Sequence, residues 1–480
     1  MRSESCLIDV EDYPLEITRV IRSVMAMPTI ASKQSLSTER RNSQHANSGR
    51  NPFRIILVYF LFEFGRIQQV VPGLSAIPLP TLILLLLAVA AFSSGKLRFS
   101  DKLTKVWLLF FPLMAYHIPF ATNNYHALMV AKDMALFFCF YLAVITFVDT
   151  LDKVQMMVTV WLAVHAVLAV LGIRDHGVGV GGWLGDENDF CMAMNVVVPF
   201  AFFALLSPLS KSRRTLSLIL LCLFILAAMT TLSRGGFLGL AAVGTYCWVK
   251  SSKKFIAIIL VGLVICFMIL VAPQEYWDEM GSSTSDETLE QGTGAERFHM
   301  WGIGWEMFLA NPILGVGQGN FPWTFDQYEG GRTFDTKSRA GRAAHSLYFT
   351  LLPELGLVGV YIFAAMLFYS YKDLGAVARI YKSAQHRLDK GRTEENEKLK
   401  SAFYLARALE GSIIGYLVSS VFISTLYYPP FWVLVGFVAA LKNATVTEYG
   451  KEYRESSRNA LHGLSSRVGV AHQVRPRSIG

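Results

Sequence analysis

Long uninterrupted runs of apolar residues constrain the fold of this 480-residue chain more than any other feature. They include residues 82–92, 216–229 and 255–272. A run of about 18 or more such residues forms a helix that crosses a bilayer, because a helix satisfies its own backbone hydrogen bonds where no water is available. Only 17% of the residues are charged, against roughly a quarter in soluble proteins. The sequence therefore predicts an all-α, polytopic integral membrane protein with about 12 transmembrane helices and one large external loop.

The predicted spans divide the chain into five parts. Residues 1–52 are a disordered cytoplasmic tail, because they are rich in Ser, Arg and Asn and lack the apolar core of a signal peptide. Spans one to nine occupy 53–272, the external loop 273–344, spans ten to twelve 345–442, and a basic cytoplasmic tail 443–480. The individual spans are predicted at 53–71, 77–93, 106–121, 125–148, 154–173, 189–206, 215–232, 236–249, 254–272, 345–370, 402–425 and 429–442.

The distribution of basic residues predicts the orientation. Lys and Arg are concentrated in every second turn, for example at 96–105, 211–214, 250–254 and 371–401, whereas the 273–344 loop is rich in Asp and Glu. Since basic turns stay in the cytoplasm, both tails are predicted to lie inside. The net charge of +8 follows this topology pattern, and we therefore exclude nucleic acid as a partner. The turns at 174–188 and 233–235 and the long loop should then face the same external compartment.

Arg234 lies at the outer end of the predicted seventh span, in the segment TLSRGG of residues 231–236. An arginine at this depth is costly unless it pairs, reaches the interface or faces water. A simple interfacial arginine is one interpretation. The flanking glycines favour another, in which a large anionic group approaches the guanidinium closely.

The long loop contains a predicted amphipathic helix. Thr293 and Glu296 have capping-box spacing, and Arg297 falls in the first turn. The apolar stripe that follows consists of Phe298, Trp301, Trp305 and Phe308. A packing helix with a solvated Arg297 is the alternative.

Three alternating glycines follow this helix, at positions 315, 317 and 319 in the segment NPILGVGQGNF. Such a segment can expose backbone amides to a phosphate. It lacks the preceding strand and the βαβ context of a nucleotide-binding fingerprint, so we interpret it first as a tight loop.

His345 lies at the predicted outer start of the tenth span, in the segment RAAHSLY. A helix N-terminus lowers the pKa of an imidazole and attracts anions, so a neutral histidine beside a phosphate is chemically reasonable there. An interfacial histidine that caps or packs is the alternative. Glu354, further along the same span, is either a buried partner or a structural carboxylate. The acidic segment 186–189 can bind a divalent cation but is more typical of a helix cap.

The sequence resembles the O-antigen ligase and Wzy-polymerase superfamily of bacterial envelope glycosyltransferases. The similarity lies in the order and spacing of SRGGFLGL, ERFHMWGIGWEMFLANPILGVGQGNF and AHSLYFTLLPELGLVG, and it is strongest over residues 185–365. The large loop between the predicted ninth and tenth spans matches as well. Near the start, the segment EFGRIQ of residues 63–68 is similar to an early segment of some relatives.

The resemblance implies glycan transfer from an undecaprenyl-diphosphate carrier to an acceptor hydroxyl at the outer face of the bacterial inner membrane. By motif position, Arg234 and Arg297 would bind the diphosphate and His345 would be the catalytic base. Gly317, Gly319 and Glu354 would support them. The partners implied are the lipid-linked glycan donor, a lipid, glycan or protein acceptor, and membrane lipids, with no metal or other cofactor.

Three activities share these motifs: ligation to lipopolysaccharide, polymerisation of repeat units, and O-linked transfer to protein. We favour ligation, because the long loop precedes the tenth span and carries the Arg and His set, although the acceptor itself is left open. A secondary transporter is the alternative from another class. It would require internal repeats and broken helices near the midplane. The sequence shows no clear repeat, and its candidate charges lie near one surface.

Overall fold

The computed structural model describes residues 50–70, 73–251, 293–332, 338–388 and 393–471, together with the single residues 254, 262 and 334. The predicted ninth span at 254–272 and the first part of the external loop therefore lie largely outside the described residues. The same holds for nearly all of the predicted N-terminal tail and for the last residues of the C-terminal tail.

The described residues form α-helices joined by short turns. Short 3₁₀ helices lie at Leu74–Ala76, Gly182–Leu184 and Ser420–Phe422. The α-helices are α1 (Arg50–Glu63), α2 (Ile67–Val70), α3 (Leu79–Ser93), α4 (Lys102–Leu108), α5 (Phe110–Phe120), α6 (Asn124–Phe147), α7 (Leu151–Arg174), α8 (Glu187–Leu206), α9 (Lys211–Thr230), α10 (Arg234–Lys250), α11 (Thr293–Ala310), α12 (Phe321–Glu329), α13 (Tyr348–Leu388), α14 (Thr393–Ser419) and α15 (Pro429–Ala471).

Within the described part of the chain, 8 helical stretches are long and apolar enough to cross a membrane. They are Lys102–Phe120, Asn124–Phe147, Leu151–Arg174, Glu187–Leu206, Lys211–Thr230, Tyr348–Gln385, Glu394–Phe422 and Pro429–Gly450. The prediction of an all-α, polytopic membrane protein is confirmed. Three other predicted spans coincide with α1, α3 and α10, which are shorter than the roughly 20 residues of a complete span.

Helices α8 and α15 form the centre of the bundle, because their apolar residues are buried on nearly all sides. Helix α8 packs against α9, α10 and α14, and α15 packs against α6, α13 and α14. The contact between α10 and α14 is very close: a methyl group added to Gly239 would lie 2.0 Å from Oγ of Ser419. Small residues allow this approach, and it places the end of α14 beside the start of α10.

One end of the bundle, here called the site end, collects the starts of α8, α10 and α13 and the end of α14. Oγ of Ser233, before α10, donates a 2.7 Å hydrogen bond to Oδ1 of Asn188 in α8. The backbone amide of Leu347, before α13, donates to the carbonyl oxygen of Ser420 after α14 at 2.8 Å. Segments that are far apart in the sequence are therefore joined at this end.

Helix α13 is broken at Gly356, where φ is 58° and ψ is −163°. The sequence had predicted one plain span at 345–370. At the break the loop before α12 supplies the missing partners: the amides of Val316 and Gly317 donate to the carbonyl oxygens of Pro353 and Glu354, at 2.8 and 2.9 Å. Because a broken helix leaves backbone groups unsatisfied in a membrane, such replacement is required. The loop and the helix therefore form one unit, here called the glycine-loop joint (residues 312–321 with 353–358).

Candidate functional site

Arg234 is the first residue of α10, at the site end. The turn before it is held by Ser233, whose Oγ accepts a 2.9 Å hydrogen bond from the amide of Gly236. Leu232, just before the cap, has a φ of 50°, a conformation that is uncommon for residues other than glycine. The cap and the turn together fix the position of Arg234 at the start of α10.

The glycines beside Arg234 have a different role from the one that we predicted. A methyl group on Gly235 would lie 2.7 Å from Cδ2 of Phe422, and one on Gly236 would lie 2.2 Å from Sγ of Cys191. The space that they leave is therefore occupied by neighbouring helices and not by an anionic ligand. These glycines allow close helix packing, which places Phe422 against Gly235, next to Arg234.

Arg297 extends from α11 towards the same phenylalanine. Its guanidinium carbon lies 5.8 Å from the centre of the Phe422 ring, which is within cation–π range. Trp301, one turn further along α11, donates from Nε1 to the carbonyl oxygen of Ala344 at 2.9 Å and stacks on Phe349 at 5.1 Å. Helix α11 is thereby attached to the segment that leads into α13.

The apolar face of α11 differs from the predicted stripe. Met300, Ile303 and Met307 are buried, whereas Phe298 and Trp305 are exposed. The aromatic residues at 298 and 305 therefore face away from the protein, whereas Phe308 of the predicted stripe is buried. The buried face of α11 packs against Phe321 and Phe325. Glu296 was predicted to complete a capping box, and its carboxylate forms ion pairs with Arg339 at 2.9 Å and with Arg342 at 2.5 Å.

His345 lies three residues before α13 and has a φ of 48°. The residues after it are fixed by the segment that follows α14. The amide of Ser346 donates to Oγ of Ser424 at 3.4 Å, in addition to the bond between Leu347 and Ser420. A left-handed conformation costs a residue with a side chain about 1–3 kcal/mol and is often found at functional sites. Here it directs the chain into α13 and leaves the histidine accessible.

Arg297 lies within electrostatic reach of both Arg234 and His345, and we call the three residues the Arg–His cluster. Burial lowers the pKa of Arg297, and the positive charge of Arg234 lowers it further. Burial and then the charge of Arg297 lower the pKa of His345. The negative charge of Asp186 raises the pKa of both groups. The pKa of His345 is therefore lowered, as predicted, and the causes are partial burial and a neighbouring arginine.

The glycine loop has no backbone amide available for a phosphate at its three glycines. The amide of Gly315 donates to the carbonyl oxygen of Asn311 at 3.0 Å. That of Gly317 donates to the carbonyl oxygen of Glu354, and that of Gly319 donates to the Glu354 carboxylate at 2.7 Å. The interpretation as a tight loop is supported, and exposure of amides to a ligand is contradicted.

The carboxylate of Glu354 is hydrogen-bonded to other parts of the protein. It also accepts hydrogen bonds from the amide of Phe321 at 3.0 Å and from the hydroxyl of Tyr427 at 2.7 Å. The side chain is buried and connects three segments of the chain. Of the two interpretations given above, the structural carboxylate fits these contacts.

The acidic segment before α8 begins with a helix cap. Asp186 is the N-cap residue, and its Oδ1 accepts a 2.8 Å hydrogen bond from the amide of Asn188. Its charge also influences Arg297 and His345, which connects this turn to the Arg–His cluster.

Phe422 is the residue that the sequence analysis missed. It packs against Gly235, the residue after Arg234, and its ring lies under the guanidinium of Arg297. The centre of its ring is 6.2 Å from that of Trp301. Its neighbours Ser420 and Ser424 hold the residues after His345. No motif marks the segment 420–424, and only its position after α14 gives it this role.

Residues 216–364 match the family model described as O-antigen ligase. The match runs from α9 to the first part of α13 and includes all three residues of the Arg–His cluster, but it ends before Phe422. A search of curated proteins found no match. Members of the matched family are membrane glycosyltransferase-like enzymes, either ligases or polymerases. The resemblance to the O-antigen ligase and Wzy-polymerase superfamily is therefore confirmed over residues 216–364.

Proposed function

We propose that this protein transfers a glycan from an undecaprenyl-diphosphate carrier to an acceptor hydroxyl, as a ligase of the O-antigen type. The observation that carries the proposal is the convergence of Arg234, Arg297 and His345 from three separate segments. Two arginines that repel each other are stabilised by a shared anion, and a diphosphate has the charge and geometry for bidentate contact with both.

In the proposed reaction, the acceptor oxygen forms a bond to the anomeric carbon of the donor glycan while the bond from that carbon to the diphosphate breaks. His345 takes the proton of the hydroxyl, a contribution of roughly 10²–10⁴-fold. Arg234 and Arg297 stabilise the negative charge that develops on the departing diphosphate. Since the carrier diphosphate is already a good leaving group, the reaction as proposed requires no metal or other cofactor.

The proposed location is the inner membrane of a bacterium, with the site end facing outward and both termini in the cytoplasm. The charge pattern of α9 and α10 supports this orientation. Lys211, Arg213 and Arg214 lie at the start of α9, and Lys250 lies at the end of α10, both at the end opposite Arg234. Basic residues of this kind mark the cytoplasmic side.

The identity of the acceptor distinguishes ligation from the two related activities, polymerisation and O-linked transfer to protein. Polymerisation and O-linked transfer to protein would use the same three residues on a growing glycan or on a protein hydroxyl. We favour ligation, because the Arg and His set lies on and beside the loop that precedes α13, and the experiment identifies the acceptor.

The test is transfer by the purified full-length chain, given undecaprenyl-diphosphate-linked glycan with a lipid, glycan or protein acceptor in separate reactions. We expect Arg234→Ala to abolish transfer while the protein still accumulates and inserts, and Arg234→Lys to rescue it only in part because the planar fork is lost. Arg174→Ala is the matched control, because Arg174 is an arginine near the same end that pairs with Asp175. Normal transfer by Arg234→Ala would refute the diphosphate assignment.

A further inference from the structure

A second group of side chains lies at the site end, next to the Arg–His cluster. Trp183, in the turn before α8, and Tyr428, before α15, have ring centres 6.0 Å apart and planes tilted by 51°. Both rings are half-buried. The guanidinium carbon of Arg66 lies 5.9 Å from the Trp183 ring, and Asp189 interacts electrostatically with Tyr428. We call Arg66, Trp183, Tyr428 and Asp189 the aromatic wall.

Three polar atoms of this wall are buried without a hydrogen-bond partner among the described residues. Asp189 is only 6% exposed, and its Oδ1 accepts no hydrogen bond. Nε of Arg66 and Nε1 of Trp183 are likewise buried and donate none. Buried polar groups in proteins are almost always satisfied, so each such atom requires an explanation, of which a bound ligand is one.

The three atoms require two kinds of partner. Oδ1 of Asp189 needs a hydrogen-bond donor, whereas Nε of Arg66 and Nε1 of Trp183 need an acceptor. A metal cation would suit only the aspartate, and a phosphate would suit only the arginine and the tryptophan. A ligand with several hydroxyl groups suits all three, because each hydroxyl donates and accepts. The apolar faces of the Trp183 and Tyr428 rings suit the C–H face of a sugar ring.

Asp186 connects the wall to the reacting centre. It lies one turn before Asp189 and interacts electrostatically with Asp189 and Tyr428 on one side and with Arg297 and His345 on the other. A ligand on the aromatic wall would therefore lie at the same end of the bundle as the Arg–His cluster, with Asp186 within electrostatic reach of both.

We infer that the aromatic wall is a binding subsite for a sugar ring, adjoining the bond that is transferred. The inference rests on the proposed function for its role in catalysis, but the sugar binding itself does not depend on the diphosphate. The sugar belongs either to the donor glycan or to the acceptor. Both present the same chemistry, and the experiment distinguishes them.

The experiment measures binding of two carrier-free probes to the purified full-length chain by saturation-transfer NMR. One is the oligosaccharide released by mild acid from the carrier-linked glycan of the source cells, and the other is the core oligosaccharide of their lipopolysaccharide. We expect one probe to bind, and Asp189→Asn and Trp183→Leu each to weaken that binding about tenfold or more. Trp183→Phe, which keeps an aromatic face, should retain most of it.

Two control variants separate this inference from the proposed function. Arg234→Ala should bind the sugar normally, because the probes carry no diphosphate. Asp175→Asn removes another acid of the same turn, whose ion-pair partner is Arg174, and should also bind normally. If the wild-type chain binds neither probe, or if the wall variants bind as well as wild type, the subsite is wrong. If the sugar binds but no transfer occurs, the proposed function fails and the subsite stands.

Discussion

The glycine-loop joint and the Arg–His cluster lie in the same half of the molecule but differ in how their polar groups are satisfied. In the joint, the amides of Gly315, Gly317 and Gly319 and the Glu354 carboxylate all find protein partners. In the cluster, Arg297 is repelled by Arg234, contacts an aromatic face, and forms no ion pair within the described part of the chain. The joint satisfies these groups within the protein, whereas the cluster holds Arg297 beside a second positive charge.

The difference shows which region is scaffold and which is site. Groups that satisfy one another stabilise the fold, and they leave little binding capacity for a substrate. Positive groups held close together cost electrostatic free energy that the rest of the fold must offset. The motif with three glycines resembles a ligand loop in sequence, yet the region in which two arginines and a histidine lie near one another is the better candidate site.

The largest effect should come from His345. We expect His345→Gln to lower turnover by about 10²–10⁴-fold, because glutamine can form a hydrogen bond to the acceptor but cannot take its proton at useful basicity. Carrier-lipid affinity should change little. The measurement is kcat and donor KM in the transfer assay. Turnover of His345→Gln at the wild-type rate would mean that the histidine only orients the acceptor or packs.

Two comparisons sharpen this result. His345→Asn keeps a residue that tolerates the left-handed backbone, so it should fold normally and remain inactive. His176, with a φ of 54° near the same end, supplies the control His176→Gln, which should be active. In wild type, burial and Arg297 lower the pKa of His345, so the neutral base should persist to lower pH. The rate should therefore fall only as the pH drops below about 6.5.

The next effect concerns stability and tests the joint. Glu354→Leu removes the acceptor of two backbone amides and of the Tyr427 hydroxyl. Each buried group left without a partner costs about 1–3 kcal/mol, so we expect a destabilisation of about 3 kcal/mol or more. Glu354→Gln keeps one acceptor oxygen and should lose less. The measurement is the apparent melting temperature of the purified protein.

Glu306→Gln is the control for this series, because Glu306 is an acid of the same loop that pairs with Arg332 near the surface. It should melt close to wild type. The comparison between the two regions would fail if Glu354→Leu melted like wild type but lost donor affinity, since that would place Glu354 in the site.

The smallest effect should come from Phe422, which contacts Arg297 of the cluster but carries no charge. Phe422→Leu removes the aromatic face under Arg297, a contact of about 0.5–2 kcal/mol, so kcat/KM for the donor should fall by roughly 2- to 30-fold. Phe422→Tyr keeps the face and should lose less. Phe368→Leu, at an exposed phenylalanine, is the control. Equal activity of Phe422→Leu and wild type would show that this contact does not position Arg297.

The helical architecture was predictable because it is encoded locally. An apolar run long enough to cross a bilayer has few alternatives to a helix, and the described helices coincide with eleven of the spans predicted from hydropathy. The break in α13 was not predicted. Glycine at 356 and proline at 353 permit a break, but its partners come from the loop that precedes α12.

The three residues of the candidate site were also identified from sequence, by their types and by the order of their motifs. Their surroundings were not. The glycines beside Arg234 pack against Phe422 and Cys191, and Glu354 binds the loop that resembled a phosphate site. The sequence by itself determined the helices, because an apolar run is a local property, and it proposed the three candidate residues through the order of their motifs. Only the tertiary structure decided that Phe422 joins them and which amides remain available, because those contacts connect segments far apart in the chain.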